Sequence, residues 1–114
     1  MNHNDAVNKA RLAAATVGWK VFRREVGLFY DRRGNPRRVG TEGEGDLQGW
    51  RVGDARAVAI EVKTGNARRT KEQKRWGESF VRDGGIYVVA RYSDTEDGDE
   101  AIRAAAGLVM EKIR

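Results

Sequence analysis

The sequence predicts a single α/β (α+β) domain spanning residues 1–114, a small mixed sheet flanked by helices in the order α-β-β-β-α-β-α. Three observations predict it. Apolar residues recur at helical spacing near both ends: Val7, Ala10, Ala13, Ala14 and Val17 first, then Ile102, Ala105, Ala106, Val109 and Ile113. Two runs in the second half, Ala57 to Lys63 and Ile86 to Tyr92, are rich in β-branched and aromatic residues. A third helical segment, opened by Thr70, stands between those two strands.

Taken in order, the first helix is predicted from about Asp5 to Thr16 and stops at Gly18. Trp19 to Arg24 alternates as a strand with Trp19, Val21 and Arg23 on one face, and Val26 to Tyr30 continues it beyond a bulge at Glu25 or Gly27. Gly34-Asn35-Pro36, with the only proline, marks a turn. Val39 to Gly45 is glycine-rich. Gln48 stands where a GxGxxG motif needs its third glycine, and no Walker A sequence exists, so no nucleotide cofactor is expected.

Asp46 to Trp50 reads as a short strand, Arg51 to Arg56 as a turn, and Ala57 to Lys63 as the strongest strand. The helix from Thr70 to about Asp83 places Trp76, Phe80 and Val81 on its apolar face, and Gly84-Gly85 ends it before the strand Ile86 to Tyr92. Ser93 to Glu100 is a solvated acidic loop. With Gly98 as the turn glycine an EF-hand would need its last ligand at Ala104, so that reading fails. There is no repeat and no linker.

Composition narrows the chemistry. The absence of cysteine excludes disulfides, thiolate nucleophiles and cysteine-bound zinc. The one histidine, His3, lies by a terminus expected to fray, which excludes HExxH zinc sites and disfavours imidazole acid–base catalysis. No apolar run approaches the roughly twenty residues of a membrane span, and no secretory leader is evident, so a cytoplasmic protein is expected. The net charge is +5 with a pI near 9.9. Arg32, Arg33, Arg37 and Arg38 surround one turn, and Arg68, Arg69, Lys71, Lys74 and Arg75 surround a helix start. Such clusters suit a polyanion, although one alone would also suit a solvated surface.

Those basic clusters bracket two acids. Glu61 and Lys63 share one face of the strand, while Val58, Ile60 and Val62 share the other. A glutamate beside a core strand is costly unless paired or metal-bound. Asp46, fifteen positions earlier, supplies a second carboxylate, and two carboxylates suit the hard ions Mg²⁺ or Mn²⁺. Structural alternatives stand beside each residue. Asp46 also fits a turn aspartate at a strand end, Glu61 and Lys63 an ion pair, and Thr70 with Gln73 a capping box. Trp50 and Trp76 fit base stacking or, more readily for Trp76, core packing.

The sequence resembles the VRR-NUC family, a branch of the PD-(D/E)XK nuclease superfamily. The resemblance rests on Arg24-x-x-Gly27, the glycine-rich run into Gly45-Asp46, Ile60-Glu61-Val62-Lys63-Thr64-Gly65, Arg69-Thr70-x-x-Gln73, and Gly84-Gly85 before a strand. It covers about Arg23 to Tyr92. It implies a restriction-endonuclease-like core and a DNA endonuclease acting on four-way junctions or other branched DNA. It also implies a homodimer and small stand-alone relatives of phage or bacterial type. By resemblance Asp46, Glu61 and the Val62 carbonyl hold the metal, and Asp46, Glu61, Lys63 and Gln73 form the catalytic set. Arg24, Arg68, Arg69, Thr70 and Lys71 are the expected DNA contacts.

Two departures bear on mechanism. Gly45 replaces the proline of the superfamily name. The first helix offers only Asp5, Asn4 and Asn8 where the family often carries a glutamate, so one metal ion is expected, with two as the alternative. Glu25, Glu42 and Glu44 compete for any further acidic role. The rival readings are a non-catalytic nucleic-acid-binding module of the same fold and a nuclease without structure preference.

Overall fold

A computed structural model describes residues 1–24, 27–39 and 43–113. The elements are α1 (His3–Thr16), β1 (Trp19–Arg23), β2 (Gly27–Tyr30), β3 (Pro36–Val39), β4 (Leu47–Arg51), β5 (Ala57–Thr64), α2 (Lys71–Arg82), β6 (Ile86–Tyr92) and α3 (Gly98–Ile113). Four strands form a mixed sheet in the order β1-β4-β5-β6, antiparallel except for the β5–β6 pair. The expected α+β class and mixed sheet are therefore observed. Among the described residues no helix is long and apolar enough to cross a membrane.

The period-2 alternation of the strands sets which face each side chain takes. Val58, Ile60 and Val62 join Trp19, Val21, Leu47, Ile86, Val88 and Ala90 in one core with α1 and α3. Helix α1 meets that face through Ala6, Ala10, Ala13 and Ala14, whose small side chains let the backbone lie close. The opposite face carries Ala59 and Glu61, both also buried, because the glycine loop and α2 close over that part of the sheet. Helix α2 packs on β6 at Gly77, where a Cβ would stand 2.7 Å from the Tyr87 ring. Trp76 stacks on Phe80 with ring centroids 4.9 Å apart and tilts against Tyr87 at 6.1 Å, so its use is packing.

Several sequence expectations are corrected. The chain after Arg23 does not extend the main sheet: β2 pairs with β3 in a separate two-stranded ribbon. Asp31 closes its turn, its Oδ1 accepting the Arg33 and Asn35 amides at 2.9 Å each. Pro36 then opens β3, a position that needs no ladder donor, instead of lying within the turn. A bulge at Glu25 lies outside the described residues. Arg23 keeps to the face of Trp19 and Val21, opposite buried Leu47, but is itself exposed at the strand end. Helix α1 starts at His3 because the Asn2 side chain caps it, accepting the Asp5 amide at 2.8 Å. Val81 is exposed, as α2 turns Gln73, Trp76, Gly77 and Phe80 inward.

The acidic stretch is not simply solvated. Helix α3 begins inside it at Gly98, and Lys9 of α1 reaches Asp97 at 3.4 Å and Asp99 at 3.2 Å. Tyr92 Oη donates to Asp99 at 2.7 Å, so the loop fastens α1 to β6 and α3.

Candidate active site

Strand register brings the two acids together. Leu47 opens β4 opposite Ile60, so Asp46, one residue earlier, stands beside Glu61 at the end of the ladder. Asp46 Oδ2 accepts the Val62 amide at 2.7 Å. The aspartate therefore caps a strand end and adjoins Glu61 at once. A strand residue directs its amide and carbonyl to the same edge, so the Val62 carbonyl also faces the side where β4 has ended.

Glu61 is only 2 % exposed, although it lies on the α2 face of the sheet. Its Oε1 accepts from Gln73 Nε2 at 3.0 Å and lies 3.8 Å from Lys63 Nζ. Its Oε2 is buried and has no hydrogen-bond partner among the described residues. Burial, then the charge of the facing Asp46 carboxylate and its hydrogen bond to the protonated acid, push the Glu61 carboxyl up to about 8, while Lys63 and Arg69 pull the other way.

Gln73 resolves the choice between cap and site by doing both. Its amide donates to Thr70 Oγ1 at 3.1 Å, and its Oε1 accepts the Thr70 amide at 2.8 Å, which completes a capping box. The same Oε1 accepts from Lys63 Nζ at 2.9 Å, while Nε2 is turned to Glu61. The helix cap thus fixes the rotamer that ties Lys63 to Glu61.

The glycine run has a steric purpose. Gly43 has φ +86°, and a Cβ there would lie 2.3 Å from the Glu72 carbonyl oxygen in the first turn of α2. Only glycine lets the loop lie this close to the helix. That approach helps place Asp46, distant from Gln73 in the sequence, at the same corner of the fold.

His3 is the site residue that sequence reasoning missed. Far from fraying, it is the first residue of α1, with Nε2 3.1 Å from Asp46 Oδ1. Asn2 as an N-cap was the available signal, but only the docking of α1 over the sheet end reveals the contact. Asp5, Asn4 and Asn8, all that the first helix offers where the family often carries a glutamate, are exposed. Glu44 is held by Gln48 Nε2 at 2.8 Å and Arg24 Nε at 3.2 Å, which engages Arg24 in an ion pair. Glu25 and Glu42 lie outside the described residues.

The orphan Glu61 oxygen beside a second carboxylate fits a hard divalent cation, which would relieve both its desolvation and its repulsion. No three His, Asp or Glu side chains form a cage among the described residues, so an ion at Asp46 and Glu61 would draw further donors from backbone, water or phosphate. His3 would then orient Asp46 toward such an ion. His3→Ala is expected to weaken Mn²⁺ binding about tenfold, the lower end for such partners, with His3→Gln recovering part of the loss. Isothermal titration of each variant with Mn²⁺ measures this.

Around this corner lie the basic residues. Arg68, Lys71, Lys74 and Arg75 are exposed at the start of α2, and Arg69 is half-buried with its guanidinium 5.9 Å from the Tyr87 ring centroid. Thr70 is engaged as the helix cap. Comparison with protein-family models and with curated proteins gives no match to this chain.

Proposed function

We propose that the chain is a Mg²⁺- or Mn²⁺-dependent DNA endonuclease of VRR-NUC type, with a restriction-endonuclease-like core, that cleaves four-way junctions or other branched DNA. The observation that carries this reading is the buried Glu61, with one oxygen held by Gln73 and the other, which no donor group reaches, turned to the Asp46 carboxylate. A module that only bound nucleic acid would gain nothing from two acids that repel phosphate. Asp46, Glu61 and the Val62 carbonyl would hold one ion, which when bound would polarise the scissile phosphate and acidify a water.

The remaining work falls to the chain's own groups. Lys63, tethered through Gln73, presents its charge where negative charge grows on the phosphoryl oxygens or orients the attacking water. Gln73 keeps Lys63 and Glu61 in register through its cap with Thr70. Exposed Arg68 and Lys71, with half-buried Arg69, would take flanking phosphates beside the free amides at the start of α2. A 5′-phosphate and a 3′-hydroxyl are the expected products, and two copies would offer two sites to one junction.

The reading is tested by incubating labelled four-way junction, flap and linear duplex DNA with the protein in Mg²⁺, Mn²⁺ or EDTA. Metal-dependent cutting that favours the junction is the expected result. No product with any substrate would overturn the enzyme, and equal cutting of junction and duplex would remove the structure preference. Sedimentation of the same preparation tests the homodimer.

A further inference from the structure

The sheet face that carries Glu61 and Lys63 also carries an open aromatic pair. Residues opposite one another in a ladder point to the same side. Trp50 lies opposite both Lys20 and Ala57, and Ala57 shares its face with Glu61. Phe22, two residues beyond Lys20, completes the set. Its ring centroid is 5.7 Å from that of Trp50 at an interplanar angle of 41°. Phe22 is 54 % exposed and Trp50 41 %, unusual for aromatic side chains that touch each other. Phe80 of helix α2 lines a cleft of about 300 Å³ together with Phe22, Trp50, Ala57, Gln48 and Arg24.

We propose that this cleft binds an unpaired nucleobase of the DNA substrate next to the cleaved phosphate. The inference rests on the nuclease reading and narrows its substrate class: branched DNA whose branch point presents unpaired nucleotides beside the cut. Aromatic faces stack on any base without regard to sequence. Charge supports this occupant, since exposed Lys20 lies directly opposite Trp50, while Arg24, paired with Glu44, lines the cleft on the side of the acids. Gln48 lies opposite Ala59, two residues or about 7 Å along β5 from Glu61. Trp50 lies opposite Ala57, four residues or about 13 Å from it. Those offsets match one to three nucleotides along a strand whose phosphate sits at Glu61.

The test measures binding of labelled oligothymidylate, forked DNA and blunt duplex to the full chain in EDTA, over a series of salt concentrations. Phe22→Leu, Trp50→Leu and the double variant keep apolar bulk while removing the aromatic faces. Trp50→Phe restores one face, and Lys71→Ala serves as a phosphate-contact control. The double variant is expected to lose about tenfold or more in affinity for oligothymidylate and the fork. Its duplex affinity and salt slope should stay unchanged. Lys71→Ala should instead weaken all three and flatten the slope. A double variant that binds oligothymidylate like the parent overturns the stacking cleft while metal-dependent cleavage by the parent leaves the nuclease standing. A parent that binds no DNA overturns both. A double variant that turns a dimer into a monomer, with unchanged affinity per site, shows the face to be a self-interface and overturns the proposal as well.

Discussion

Replacing Glu61 by glutamine is expected to abolish metal-dependent cleavage and, in the same protein, to stabilise the metal-free fold above neutral pH. The two effects share one cause. Glu61 is buried beside Asp46, and its carboxyl holds its proton up to about 8. In the metal-free protein the folded state therefore keeps a proton that the unfolded chain has released above about 4.5. A raised folded-state value makes stability greatest below that point. It then falls as pH rises towards about 8 and levels off above it.

Glutamine mimics the protonated acid and keeps an acceptor for Gln73, so the variant should lose this slope. Urea midpoints measured from about pH 5 to about pH 9 would show parallel curves if burial of Glu61 were not responsible. For activity the sign reverses. Losing the ligand should cost at least about a thousandfold in rate, or about 4 kcal/mol of barrier, with DNA affinity in EDTA retained. Near pH 8, Mn²⁺ should raise the melting temperature of the parent but not of Glu61→Gln, a readout independent of cleavage. A variant that cut DNA like the parent would remove Glu61 from the site.

The second large effect is expected from Gly43→Ala, one methyl group on a residue that touches no substrate in the proposed mechanism. At φ +86° the new Cβ would strain the backbone and meet the Glu72 carbonyl oxygen at 2.3 Å. Both sides of that contact are backbone, so either the loop or the first turn of α2 has to move. Overpacking of this kind costs about 1–3 kcal/mol. The displacement would separate Asp46 from the Gln73 corner, and a shift of about 1 Å lowers rates about a hundredfold. Gly34→Ala is the matched control, because φ is +80° there but nothing lies within 4 Å of a Cβ. It should cost about 1 kcal/mol and leave cleavage unchanged. Equal effects on activity from both variants would show that backbone strain alone matters, not the approach of loop to helix.

Local pattern made much of this fold legible. The β-branched runs of β5 and β6 and the Thr70 cap of α2 are each specified by residues close in sequence. The same is true of the alanine face of α1, although its start was displaced by the Asn2 cap. The separate β2–β3 ribbon was not legible. Trp19 to Tyr30 carries one extended pattern, and whether its two halves share a ladder depends on partners distant in the chain. Val81 misled for a related reason: helical periodicity marks an apolar stripe but not how much of it the sheet can cover.

The candidate site divides the same way. Strand alternation alone puts Glu61 and Lys63 on one face, and Thr70 and Gln73 carry the spacing of a capping box. The sequence also limited the chemistry to carboxylates, lysine, one histidine and a basic surface. That Asp46 lies beside Glu61, that His3 reaches Asp46 and that Gln73 joins the cap to the acids emerge with the folded chain. Folding alone set an open aromatic pair on the same face. The physical reason is that these contacts depend on ladder register, on the docking of α1 over the sheet end and on the close passage of Gly43 along α2. None of these is a periodicity of the chain.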